Sequence, residues 1–296
     1  MIYIAHFGLR EAPFGITPDT SFFYACRSTQ EALNTLLVAV SNGEGFIKVI
    51  GEVGTGKTLL CRKFLATLGD AHASAYLPNP NLEPRTLLLA LAEELGVRLD
   101  RGMDQHHLLK SLNLGLLGFA RERKRVVVCL DEAQGMPIET LETLRLLTNL
   151  ETEKRKLLQV ILFGQPELDA KLAHQSIRQL RQRITFQHRL GALSKDETDS
   201  YLRHRLAVAG YNGVAVFTRA ATRRIHSASG GIPRLINILA NKSMMLAYGA
   251  GERQVTWSQV QAAVADTPAS LGWSRFWGWL AAIGVAGFGL GWLLLK

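Results

Sequence analysis

The sequence predicts an α/β fold with a five-stranded parallel sheet, then a small helical region, then one membrane-crossing helix. Three observations predict it. Short apolar, β-rich runs alternate with segments of helical periodicity up to about residue 190. From Ser194 onward the strand-like runs largely stop and the helical ones continue. Residues 276–295 then run without a single charge.

Residues 1–30 read as loop and short strand, with a turn at Thr17-Pro18-Asp19. Phe22-Phe23-Tyr24 can pack into a core or against an adenine ring. A helix is expected over 29–40, where Leu33, Leu36, Leu37 and Val40 share a face. Residues 45–50 follow as the first strand.

That strand runs into Gly51-Glu52-Val53-Gly54-Thr55-Gly56-Lys57-Thr58, which fits the pattern glycine, four residues, glycine, lysine, then serine or threonine. Leu59 to Leu68 leaves it with helical spacing. Strand, loop and helix are the context this pattern needs. Its glycines let the backbone curl so that successive N–H groups face phosphate oxygens. The helix adds free N–H groups and the positive end of its dipole. Lys57 is expected to reach the β- and γ-phosphates of ATP, and the Thr58 hydroxyl to ligate Mg²⁺.

A second strand is expected over 73–77, ended by Pro78 and Pro80. Helices follow over 84–95, with proline at its start and Gly96 past its end, and over 106–121. Val126-Val127-Val128-Cys129-Leu130 is unbroken and β-rich, as a buried parallel strand is. Asp131 and Glu132 come at its C-terminal end, where open α/β sheets hold their ligands. Asp131 is expected to help hold Mg²⁺, and Glu132 to orient and polarise the attacking water.

A helix over 137–150 leads to a fourth strand, 157–163. Gln165, just past it, would sit between the phosphate loop and the carboxylates and is a candidate γ-phosphate sensor. Residues 168–182 are expected as one helix carrying Arg178 and Arg181, with Arg183 next and the fifth strand over 184–190. Helices between strands imply right-handed crossovers. Ser194-Lys195-Asp196-Glu197 is a capping box and a strong helix start. Helices are expected over 195–209, 217–229, 233–248 and 257–265, with Gly230-Gly231-Ile232-Pro233-Arg234 before the third.

The uncharged run 276–295 reaches about 30 Å as a helix, a bilayer core's thickness. Tryptophans 273, 277, 279 and 292 lie near its two ends, as an interfacial belt would. Gly287 and Gly291 have the spacing that lets membrane helices approach closely. Residues 1–14 are too interrupted for a secretory signal. The N-terminal region is therefore expected in the cytoplasm and the span in the inner membrane. The 296-residue chain has a net charge of +9 and 47% apolar residues, fitting a globular protein with an anionic partner or a basic solvated surface. Cys26, Cys61 and Cys129 form no paired motif and are expected as reduced thiols.

FGLREAPFGITPD, GEVGTGKT, LDEAQ, GQPEL and LRQRI together resemble the AAA+ ATPases, and within them the general secretion pathway A group, over nearly the whole chain. The resemblance implies an AAA+ P-loop NTPase domain over 1–192, a helical lid over 193–266, a linker over 267–275 and the span. It implies that Gln165 is a first sensor, where asparagine, serine or threonine is usual, and Arg234 a second sensor on the lid. Arg183 best matches a trans-acting finger, with Arg178 and Arg181 as rivals. The implied function is ATP hydrolysis in a homo-oligomeric ring or dimer, serving type IV (MSHA-like) pilus or secretion-apparatus assembly at the inner membrane. Members of the group carry a wall-binding domain beyond the span; ending at Lys296, this chain is expected to lack one. A nucleic-acid-associated ATPase of the transposition or replication-initiation type is the alternative. The charge and Arg203, Arg205, Arg223 and Arg224 favour it; the span argues against it.

Overall fold

A computed structural model describes residues 2–99, 102–148, 151–152 and 155–268. The expected span and most of the linker before it lie outside the described residues. Among the described residues no helix is long and apolar enough to cross a membrane.

The helices are α1 (Ile4–Phe7), α2 (Arg27–Ser41), α3 (Lys57–Thr67), α4 (Pro84–Glu94), α5 (Gln105–Arg121), α6 (Ile138–Leu147), α7 (Glu167–Leu172), α8 (Arg178–Gln182), α9 (Lys195–Val208), α10 (Arg219–Ser229), α11 (Pro233–Gly249) and α12 (Trp257–Ala265). The strands are β1 (Phe46–Gly51), β2 (His72–Leu77), β3 (Arg125–Leu130), β4 (Glu151–Thr152), β5 (Arg155–Lys156), β6 (Leu158–Gly164) and β7 (Ile184–Leu190). The described residues divide into two compact units: Ala25–Gly191, and residues 2–24 with 192–268.

In the first unit five strands form a parallel sheet in the order β2-β3-β6-β1-β7. Every residue of β1 and β6 is buried, as largely apolar strands covered on both faces are, and the two polar exceptions are partnered: Lys48 by Asp169 and Gln159 by the Val40 carbonyl. Leu87, Leu88, Leu91, Leu108, Leu112, Leu116, Leu141 and Leu144 pack on one face against Val126, Val128, Val160 and Leu162. β7 is an edge strand and reads differently: its residues alternate between half-buried and exposed up to Leu190. β1, β3 and β6 thus end side by side at the middle of the sheet's C-terminal edge, and the loops that follow them converge there.

Two local expectations give way, and one strand pair was not anticipated. The single helix over 168–182 is broken: α7 stops at Leu172, a 3₁₀ turn follows at Gln175–Ile177, and α8 begins at Arg178. The His174 side chain accepts from the Ser176 N–H, and that local bond competes with a continuous helix. Among the described residues no strand forms before residue 30; α1 occupies Ile4–Phe7 and is closed by Gly8 at φ 67°. The antiparallel pair β4–β5 is a feature the sequence reading did not anticipate.

In the second unit α9–α12 pack together with the N-terminal segment. Arg205, buried in α9, explains why residues 2–24 group with helices some 190 positions away. Its Nε donates to the Pro13 carbonyl at 2.5 Å, Nη2 donates to Gly15 O at 3.3 Å, and the guanidinium lies 4.4 Å from the Phe22 ring centre. Asn237 donates to the same Gly15 carbonyl at 3.1 Å and accepts from the Tyr201 hydroxyl at 3.0 Å. Tyr3, fully buried, donates to Asn241 at 2.5 Å, and burial pushes its phenol up to about 12. At the turn into α11, Gly231 has φ +75°, and a Cβ there would fall 2.1 Å from the Leu193 carbonyl oxygen. Only glycine fits.

Candidate nucleotide site

The loop between β1 and α3 is shaped by two glycines in the left-handed region, Gly54 at φ 83° and Gly56 at φ 98°. Thr55 closes the curl by donating its hydroxyl to the Glu52 carbonyl at 2.8 Å. Gly51 leaves room for this: a Cβ there would lie 2.7 Å from Thr55 Oγ1 and 3.1 Å from Leu190 Cβ. Gly56 caps α3 with no side chain on the helix's first N–H groups. Those donors are what an anion at the helix start requires.

Lys57 is 5% exposed. Its ammonium donates to the carbonyls of Gly51 at 2.8 Å and Glu52 at 3.1 Å, so it lies folded along the loop. Burial draws its pKa below the ordinary lysine value, opposed by the charges of Glu132 and Asp131. One residue on, the Thr58 hydroxyl donates to Asp131 Oδ2 at 2.5 Å. The phosphate loop and the end of β3 are therefore joined by a direct bond.

Asp131 is 2% exposed, and burial raises its carboxyl pKa, against the lowering effect of the Thr58 hydroxyl and the Glu132 N–H. The Glu132 N–H reaches Asp131 Oδ1 at 3.0 Å. Tyr76, at the end of β2, places its hydroxyl 3.4 Å from Asp131 Oδ2, and burial pushes that phenol up to about 12. Glu132 itself takes a left-handed backbone, φ 54° and ψ 38°, an uncommon conformation for a residue with a side chain. Strand β3 ends there and a 3₁₀ turn over Ala133–Gly135 begins.

That turn brings in a residue whose role the sequence reading left blank. Gln134 Nε2 donates to Glu132 Oε2 at 2.6 Å. Gln165 Nε2, from the end of β6, donates to the same oxygen at 2.8 Å. The Gln165 N–H in turn reaches Gln134 Oε1 at 3.0 Å. The signal was a glutamine two places past an acid at a strand end; finding its partner requires knowing that β6 ends alongside.

Thr58, Asp131, Glu132 and Gln165 are thus brought together around the phosphate loop. The three arginines after β6 are placed differently. Arg178 and Arg181 are exposed on α8. Arg183 turns inward, its Nη1 3.4 Å from the Arg145 carbonyl and 3.4 Å from Thr148 Oγ1, where the end of α6 welcomes a cation. Arg234 is exposed on the first turn of α11 in the helical unit.

These groups fit a magnesium nucleotide: uncapped N–H groups and a lysine for phosphate, a hydroxyl and a carboxylate for a hard divalent ion, and a second carboxylate beside them. When bound, Mg²⁺ neutralises phosphate charge during transfer.

Residues 40–172 match the AAA domain family. That stretch is an AAA domain. The chain is similar to General secretion pathway protein A of Aeromonas hydrophila, 41% identical over 262 residues, covering 88% of this chain and 48% of that protein. The chain spans about half the length of this curated relative. Among solved structures, the Aeropyrum pernix ORC2 protein in ADPNP–ADP complexes aligns with a TM-score of 0.64 at 18% identity, covering 84% of this chain and 72% of that one. The Aeropyrum pernix ORC1 protein in complex with DNA aligns at 0.63 and 19%, covering 86% and 69%. The Thermotoga maritima RuvB Holliday junction branch migration motor aligns at 0.56 and 15%, covering 85% and 73%. These three likenesses show the fold alone: the chain shares the architecture of those structures.

Proposed function

We propose that this protein is an ATPase anchored in the inner membrane through residues 276–295, with its nucleotide-binding unit in the cytoplasm, and that it hydrolyses ATP to support assembly of a secretion apparatus or a type IV, MSHA-like pilus. The Thr58–Asp131 bond beside Glu132 carries the chemical part, because it closes the phosphate loop against the acids. The named relative supports the secretion part. The motifs FGLREAPFGITPD, GEVGTGKT, LDEAQ, GQPEL and LRQRI taken together are the basis for the finer likeness to the MSHA-pilus biogenesis protein.

In this reading Gly51 to Thr58 and Lys57 in particular bind the phosphates, and Thr58 and Asp131 hold the ion. Glu132 takes a proton from water as its oxygen bonds to the γ-phosphorus and the bond to the ADP oxygen breaks. Gln165 contacts the γ-phosphate. Arg234 acts as the lid's contact with nucleotide. Arg178, Arg181 or Arg183 reaches a neighbouring subunit's nucleotide, which makes turnover depend on a homo-oligomer. The exposed pair on α8 needs no internal bond broken to do so. The test is turnover by detergent-solubilised full chain across a concentration series. Lys57→Ala abolishes nucleotide binding and Arg181→Ala reduces turnover while sparing binding. Turnover per chain that stays flat across the series removes the trans-acting finger.

A nucleic-acid role is the second reading, favoured by the +9 charge and by the likeness to ORC1 in complex with DNA. Retention on duplex DNA that falls steeply with salt supports it, and no retention at low salt removes it.

A further inference from the structure

We propose that Gln134 is a positioning residue for hydrolysis, fixing Glu132 so that one carboxylate oxygen, Oε1, faces the attacking water. The inference rests on the reading of Glu132 as the base. Two amide donors, from Gln134 at 2.6 Å and Gln165 at 2.8 Å, converge on Oε2. Among the described residues no hydrogen bond reaches Oε1. The carboxylate is therefore asymmetric: one oxygen is saturated with donors and the other is open to accept a proton. Only the open oxygen can serve as a base within hydrogen-bond reach of water.

Gln134 does more than add a second donor. Its Oε1 accepts from the Gln165 N–H at 3.0 Å, so the same side chain fixes Glu132 to the backbone at the end of β6. Its own carbonyl is held by Lys171 Nζ at 2.6 Å, which also donates to Met136 O at 2.6 Å. The 3₁₀ turn is thus pinned to α7. Gly164 completes the seat: a Cβ there would lie 3.3 Å from Gln134 Oε1 and 2.7 Å from Leu168 Cδ2. Gln165 reaches Glu132 only through its side chain and is the residue assigned to the γ-phosphate. If its amide turns to phosphate, Gln134 is the donor that still holds Glu132 in place.

The experiment compares wild type, Gln134→Met, Gln134→Glu, Glu132→Gln and the Gln134→Met/Glu132→Gln double variant as full chains. It reads kcat, KM for ATP, affinity for a fluorescent ADP analogue and melting temperature. Gln134→Met keeps the length of the side chain and removes both amide bonds. It is expected to lower kcat about tenfold to 100-fold, part of the roughly 10²–10⁴ that a positioned base supplies, with KM and ADP affinity within about twofold of wild type. Gln134→Glu, which sets a second carboxylate against Oε2, is expected to lower kcat further. In the Glu132→Gln background the Gln134→Met change is expected to do nothing more, since both act on one group. A Gln134→Met kcat equal to wild type overturns the proposal. So does an equal loss in both backgrounds, or a fall in ADP affinity and melting temperature that matches the fall in rate. Glu132→Gln turning over ATP at the wild-type rate instead overturns the assignment of the base itself.

Discussion

The Thr58 hydroxyl donates to Asp131 Oδ2 at 2.5 Å, across 73 positions of sequence. This bond couples the start of α3 to the end of β3, and it places both expected Mg²⁺ partners within one hydrogen bond of each other. Thr58→Ala removes the hydroxyl and leaves the buried Asp131 with one donor fewer. ATPase activity at saturating ATP is expected to fall about 100-fold, with a raised Mg²⁺ requirement. A Mg²⁺ titration of activity checks it; an unchanged midpoint contradicts it.

Asp131 is held for function at a cost to stability. Its carboxyl is raised above the ordinary range by burial, so the folded state disfavours its charge at neutral pH. Asp131→Asn is expected to stabilise the nucleotide-free protein by about 1 kcal/mol at pH 7, while abolishing hydrolysis. The sign with pH follows. For an acid raised in the folded state, stability is gained as pH falls through the folded value. The advantage of Asp131→Asn is therefore expected to shrink on acidification and to vanish once both states are protonated, below about pH 4. Paired urea melts at pH 7 and at about pH 4 read this difference directly.

At Gly51 the obstacle to a side chain is steric. Gly51→Ala puts a methyl 2.7 Å from Thr55 Oγ1 and 3.1 Å from Leu190 Cβ. The Thr55–Glu52 closure has to open, and a destabilisation of about 1–3 kcal/mol is expected together with loss of nucleotide affinity. Circular-dichroism melts with and without ATP separate the two effects: the ATP-induced rise in melting temperature disappears.

The helical unit has its own fixed point. Gly231→Ala requires both a left-handed backbone and a Cβ 2.1 Å from the Leu193 carbonyl oxygen. Arg205→Met removes the donors that hold Pro13 O and Gly15 O. Each is expected to destabilise by about 2–4 kcal/mol, because the turn breaks in the first, and in the second the Pro13 carbonyl loses its partner and Gly15 O keeps only Asn237. Limited proteolysis is expected to cut first within residues 192–268 or the N-terminal segment.

What could be read from the sequence follows physical range. The phosphate loop was legible because all its requirements are local: glycines for positive φ, a lysine and a threonine at fixed spacing, an apolar strand before and a helix after. Asp131 and Glu132 were legible because a five-residue apolar run can only end at the edge of a buried sheet. Gln134 was not, since its amide finds Glu132 through a 3₁₀ turn and finds Gln165 only because β3 and β6 are neighbours. The grouping of Pro13 and Gly15 with Arg205 and Asn237 was equally hidden, for those contacts span about 190 to 220 positions and carry no periodic trace. The inward turn of Arg183 depends on where α6 ends, which the leucine spacing overran.

The most direct measurement of the central claim is single-turnover hydrolysis of radiolabelled ATP by Glu132→Gln beside wild type, with nucleotide retention measured on the same samples. The variant is expected to keep bound ATP while phosphate release falls by about 10² or more. Phosphate released at the wild-type rate would contradict the account.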